Sequence, residues 1–130
     1  MIRLFVLLFA LTPAFAGDAG ISADLRVEAG LAAPTLIDGE DGWQAPIAGV
    51  PGGFVRVLRY PDLSHARDAF AFQAVAAANL AQPALVGVGD EAVGDGVGFL
   101  VARVGDRVFT IRDPSGDAKG RLRRLTLPLR

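Results

Sequence analysis

One histidine, three serines and no cysteine are the side chains that could serve nucleophilic or acid–base chemistry in this chain of 130 residues. The absence of a thiol excludes cysteine nucleophiles. Ser64 and His65 are neighbours in sequence. On a helix their side chains diverge by about 100°, so they cannot form the hydrogen bond through which a base activates a nucleophile. Ser22 and Ser115 could approach the histidine only through the fold. His65 and Asp68 are spaced i, i+3 and could touch on a helix. A carboxylate beside an imidazole is an acid–base arrangement; the same two residues also read as a solvated helix face.

The usual zinc sets are excluded by a single histidine and no thiols. Oxygen donors gather at Asp38, Glu40 and Asp41 and again at Asp90, Glu91 and Asp95. Either loop could offer calcium its several oxygen ligands. Neither has EF-hand spacing, and the turn chemistry of glycine- and proline-rich loops also accounts for both. Gly87-Val88-Gly89-Asp90-Glu91-Ala92 fits a G-x-G-x-x-A pattern after a short strand. A dinucleotide site needs a helix next, with its N-terminus toward the phosphates. Here Gly94 and Gly96 lead into a strand instead, and Asp90 and Glu91 would repel a pyrophosphate, so no cofactor is implied. The basic residues Lys119, Arg121, Arg123 and Arg124 could meet nucleic acid or anionic lipid, or could form the solvated face of a terminal helix.

The elements that must position these residues follow from periodicity. Ile21, Ala23, Leu25 and Val27 alternate with polar residues and predict a strand; a short helix capped by Ser22 is the alternative. Residues 30–53 are dense in glycine, proline and acid and predict loop, with one short strand at Thr35–Ile37. Trp43 within that loop reads as a plug at the core edge. Phe54–Tyr60 is rich in β-formers. Pro61-Asp62 then opens a helix over about 62–82, with Leu63, Ala66, Phe70, Ala74 and Ala77 on its core stripe. Phe72 and Val75 fall on the opposite side, and Pro83 disfavours helix at Gln82. Ala84–Val86 is a short strand and 87–96 a glycine–acid loop.

Val97–Val104 and Arg107–Asp113 flank Gly105-Asp106, which suits a two-residue type II′ hairpin. That turn pairs Val104 with Arg107, Ala102 with Phe109 and Leu100 with Ile111 on a largely apolar face, expected to be buried. The opposite face is mixed and expected to be wet near the turn. Ala118, Leu122, Leu125 and Leu129 recur at helical spacing, although Gly120 leaves a final strand at Arg121–Leu127 as the rival. The pattern predicts an α+β fold: an antiparallel sheet packed on one long helix, covered by helices on one face, with a short C-terminal helix.

The run from Phe54 to Ile111, with "YPDLSHARDAF", "VGVGDEA" and "GFLVARVGDRVFTI", resembles small exported bacterial proteins of unassigned function, several of them similar to the PsbP-like fold. The resemblance implies an accessory or binding role and carries over no catalytic residue.

Residues 1–16 have the layout of a signal peptide. Arg3 precedes the apolar run Leu4–Leu11, Thr12-Pro13 breaks it, and Ala14-Phe15-Ala16 places small residues before a cleavage point at Ala16–Gly17. The run is too short to span a bilayer, which takes about 20 helical residues. No later segment is long and apolar enough either, so no membrane span is expected after leader removal. The expected product is one domain over residues 17–130, periplasmic or secreted, stabilised by packing because it has no disulfide to rely on. A lipid-anchored lipoprotein would need a cysteine. Charge divides unevenly: residues 17–95 hold 4 basic and 11 acidic side chains, and residues 96–130 hold 8 and 3. The two halves could neutralise each other in the fold or steer a charged partner. The function expected is a non-enzymatic binding or accessory domain, with an envelope protein or a small apolar ligand as partner and, given export, no nucleic acid. The alternatives are a small hydrolase or lyase using His65 and Asp68, and a calcium-binding module.

Overall fold

The computed structural model describes residues 17–79 and 83–127, with the backbone alone for 77–79. The expected leader, Ala16 included, lies outside the described residues, as do Gln82 and Leu129.

Ser22 begins helix α1 (Ala23–Glu28), its hydroxyl accepting the Leu25 N–H at 3.3 Å. This satisfies one of the donors that a first helical turn leaves open. The strand expected here is replaced by the capped-helix alternative. The alternating residues share no face: Ile21 is fully buried and Val27 is 72% exposed.

Strands β1 (Thr35–Leu36), β2 (Asp41–Pro46) and β3 (Phe54–Arg59) follow. β2 corrects the expectation of loop through 30–53. Its local composition is turn-like, but full pairing with β3 and burial of Trp43 and Ala45 override that preference. Gly42 fits the ladder for a physical reason, since a Cβ there would collide with the Val57 carbonyl oxygen.

Helix α2 (Leu63–Asn79) starts after Pro61-Asp62 as expected. Beyond it come β4 (Ala84–Leu85), β5 (Glu91–Gly94), β6 (Phe99–Val104), β7 (Arg107–Arg112) and helix α3 (Ala118–Thr126). β5 is a second correction: the 87–96 segment is loop only at its ends. The C-terminal alternative resolves to helix, with Ala118, Leu122 and Leu125 buried at the expected spacing.

All strands join one antiparallel sheet in the order β1-β2-β3-β7-β6-β5-β4. The β6–β7 register is the one that a Gly105-Asp106 turn dictates, from Val104 against Arg107 to Phe99 against Arg112. Gly105 has φ +61°, the left-handed value the first position of such a turn requires.

The apolar face of that hairpin is buried, as expected. Leu100, Ala102, Phe109 and Ile111 join Trp43, Val55 and Val57 beneath the N-terminal segment, α1 and α3, with Ile21, Leu122 and Leu125 closing the core. The other face is not left to solvent. α2 packs over β5, β6 and β7 there, setting Phe70 against Val93, Val101 and Val108. Helices therefore cover both faces rather than one. Val101 and Val108 supply enough apolar surface for a second layer, and Arg103 on the same face folds back onto Glu91 at 2.6 Å. Toward β2 and β3 the same face is uncovered, leaving Gln44, Pro46 and Arg56 exposed.

Candidate functional site

His65 lies in the first turn of α2, where the chain can be capped from outside the helix. Asp62 fills that role: its Oδ1 accepts the His65 backbone N–H at 2.8 Å and stands 2.8 Å from His65 Nδ1. The His65 backbone N–H, and then its ring, hold the Asp62 carboxyl below the ordinary aspartate range. The expected pairing of His65 with Asp68 is thus replaced. A capping carboxylate curls back over the first turn and reaches the histidine, whereas Asp68 points to solvent one turn on. His65 and Asp62 are themselves exposed, and neither lines either of the two hollows described below. Ser22 is spent as a cap. Ser115 donates its hydroxyl to Asp113 and lies near neither His65 nor Asp68 in any bond.

The two acidic loops meet internal partners. Asp41 accepts the Gly17 and Ala19 N–H groups at 3.0 and 2.9 Å, while Asp38 and Glu40 stay exposed. Asp90 accepts the Gly105 N–H at 2.7 Å and stands 3.6 Å from Arg103, whose Nε donates to Glu91. Asp95 closes the β5–β6 turn by accepting the N–H groups of Val97, Gly98 and Phe99 at 2.8 to 3.0 Å. The Val97 and Phe99 N–H groups in particular hold its carboxyl below the ordinary range. Among the described residues, no three His, Cys, Asp or Glu side chains converge as a metal set would. The G-x-G-x-x-A run leads into β5 rather than a helix, and Gly89 packs where a Cβ would stand 2.8 Å from the Arg103 carbonyl oxygen.

The basic tail divides by helix face. Arg121 turns inward: its Nε donates to the fully buried Asp113 at 2.6 Å and its Nη1 to the Ala29 carbonyl at 2.7 Å, joining α3 to β7 and the end of α1. Arg124 pairs with Asp117 at 2.7 Å. Lys119 and Arg123, spaced i, i+4, share a third face and make no ion pair with any described residue.

These two cations rim a cleft of about 330 Å³ between α3 and the glycine-rich segment 86–89. Leu122, Val88 and Leu127 supply apolar surface, and Thr126 also lines the cleft. Helical periodicity explains the arrangement, because 119, 122, 123 and 126 fall on one stripe. Gly96 sets the lysine: a Cβ there would stand 2.6 Å from Lys119 Cε, so the glycine lets the stem lie flat against the chain. Gly87 and Gly89 both take positive φ, +76° and +57°, and so hold the opposite wall without side chains. Sequence reasoning found the four basic residues but not their division. The available signal was the i, i+4 spacing of Lys119 and Arg123 around the apolar Leu122.

A second hollow of about 570 Å³ lies at the uncovered end of the sheet, between β1, β2 and β3, lined by Thr35, Ile37, Gln44, Pro46 and Phe54. None of the described residues lining it is charged. No protein-family model, curated protein or solved structure matches the chain.

Proposed function

We propose that this chain is an exported, non-enzymatic binding domain, and that the cleft beside α3 takes a small amphiphilic anion. The single observation that carries the reading is the pair Lys119 and Arg123, two cations without a counter-ion among the described residues, set over apolar Leu122 and Val88. Arg103, Arg107 and Arg121, in contrast, each meet a carboxylate of the fold. A cleft of this size is at the small end of ligand pockets, which run from about 300 Å³. It suits a carboxylate with a short acyl or aromatic body: two cations for the head, the leucine and valine for the tail. The leader pattern of residues 1–16 supports export. The likeness of residues 54–111 to small exported accessory proteins points the same way.

The test uses the processed protein purified from cell envelope. Titration with octanoate and with benzoate should show saturable binding that weakens as salt rises, because the head-group contact is electrostatic. The Lys119→Ala, Arg123→Ala double variant should bind at least about tenfold more weakly, equal to roughly 1.4 kcal/mol, with an unchanged melting temperature. Equal binding by the variant, or none by the wild type, removes the cleft from this role.

A further inference from the structure

The amino-terminal segment is bonded on both sides of its backbone. Gly17 N donates to Asp41 Oδ1 at 3.0 Å, and Ala19 N donates to the same oxygen at 2.9 Å. The Trp43 indole donates to the Asp18 carbonyl at 3.0 Å, and Arg107 Nε donates to the Ala19 carbonyl. The Asp18 carboxylate turns the other way, onto the Gly20 N–H. Ala19 and Ile21 are fully buried, so these bonds position core residues. The backbone is also strained: Ala19 takes φ +54°, which a residue with a Cβ adopts only where its surroundings over-determine it. Gly17 takes φ +106° against the Leu36 side chain, a seat that only glycine fits without strain.

We infer that Asp41 is the receptor for the α-ammonium that leader removal creates at Gly17, so that processing locks the amino-terminal segment onto β2. The inference rests on the export reading above. A signal peptidase cleaves the Ala16–Gly17 amide with one water. The C–N bond breaks, the water oxygen joins the Ala16 carbonyl carbon and leaves with the leader as a carboxylate, and both water protons join the one already on the Gly17 nitrogen to make an ammonium. A single neutral N–H beside Asp41 thereby becomes three donors bearing a full charge. Charge-assisted bonds of this kind are roughly twice as strong as neutral ones. Before cleavage, Gly17 has only an amide to offer. The domain therefore reaches its full stability only after the leader is gone, which favours the exported form over the precursor.

The experiment isolates that charge. Processed protein is purified from the envelope, its mass establishes the terminus, and half is acetylated at the α-amine. A free α-amine ordinarily releases its proton near pH 8, against about 10.4 for a lysine, so the reagent is applied near neutral pH and the acetylated site is established by mass. Acetylation restores a neutral N–H in the same place. The free form should melt on the order of 5 °C above the acetylated form. In the Asp41→Asn variant the two forms should melt together. If that variant does not fold, the wild-type difference stands as the test, with Asp41→Glu as the variant that preserves it. A Gly17 terminus with no wild-type difference, or with the same difference in Asp41→Asn, overturns the inference and leaves export standing. A native terminus elsewhere overturns both.

Discussion

Asp113 joins three parts of the chain through one carboxylate. It is fully buried, and it accepts the Ser115 hydroxyl and N–H, the Asp117 N–H at 3.2 Å and Arg121 Nε at 2.6 Å. Burial alone would push its carboxyl up. The Ser115 hydroxyl and the Arg121 guanidinium outweigh burial and leave it below the ordinary aspartate range. A carboxyl that binds its proton less tightly when folded adds stability above its unfolded pKa, about 3.9, and that contribution is lost as pH falls through the lower folded value. Asp95 acts in the same sense. Acid unfolding should therefore set in below about pH 4, and Asp113→Asn should flatten that limb while lowering stability at neutral pH. Denaturant melts across pH 2–7 check both. Removing the partner is the harsher change. Arg121→Ala strands a buried carboxylate and should cost about 3 kcal/mol by urea unfolding at pH 7. A loss under about 1 kcal/mol would place this pair among ordinary surface ion pairs.

At the scale of elements, two glycines separate the two reasons a glycine is needed. Gly105 has φ +61° and open space where a Cβ would go. Gly42 is the reverse, with ordinary φ and a Cβ that would strike the Val57 carbonyl. Gly105→Ala should cost about 1–2 kcal/mol, the left-handed penalty alone. Gly42→Ala should cost about 3 kcal/mol, because strands β2 and β3 must move apart. Chemical denaturation of the two variants tests the order, and a milder Gly42→Ala would show that β2 yields easily. The same contrast explains what the sequence discloses. The hairpin was legible down to each residue pair because a two-residue turn fixes register locally. α2 was legible because Ala66, Phe70 and Ala74 recur at helical spacing and Asp62 caps the helix, whereas Leu63, expected on the same stripe, is exposed. β2 and β5 were hidden, since Gly42, Pro46 and Gly94 look like turn residues until a neighbouring strand claims them. The Asp62–His65 contact lay within reach of capping rules, while the Asp113–Arg121 pair and the cleft of Lys119 and Arg123 depend on docking between distant elements. No local pattern encodes those.

Across the whole molecule, the two faces of the sheet are unequal, and the inequality predicts how the protein opens. Among the described residues, eighteen buried side chains form the core under α1 and α3, against four in the core under α2. The larger core is also tied by partly buried polar contacts, Arg121 to Ala29 and Arg107 to Ala19. α2 has little of this: Gln73 meets Thr110 at 3.3 Å, and its outer face shows Phe72 at 80% exposure. Segments with few buried contacts open at lower free energy than the global transition. Amides of α2 should therefore exchange with solvent at least about tenfold faster than those of β6 and β7, a gap of roughly 1.4 kcal/mol. Phe70 decides the matter, as the aromatic anchor of α2. In Phe70→Ala the helix should lose protection first, and the loss in β6 and β7 should stay below the 3–5 kcal/mol typical of a deleted core phenylalanine. Phe109→Ala, in the larger core, should instead lower protection throughout. Native-state hydrogen exchange by residue reads both. Equal losses in α2 and β7 on Phe70→Ala would make helix and sheet a single cooperative unit, and the smaller core would then be as integral to the fold as the larger.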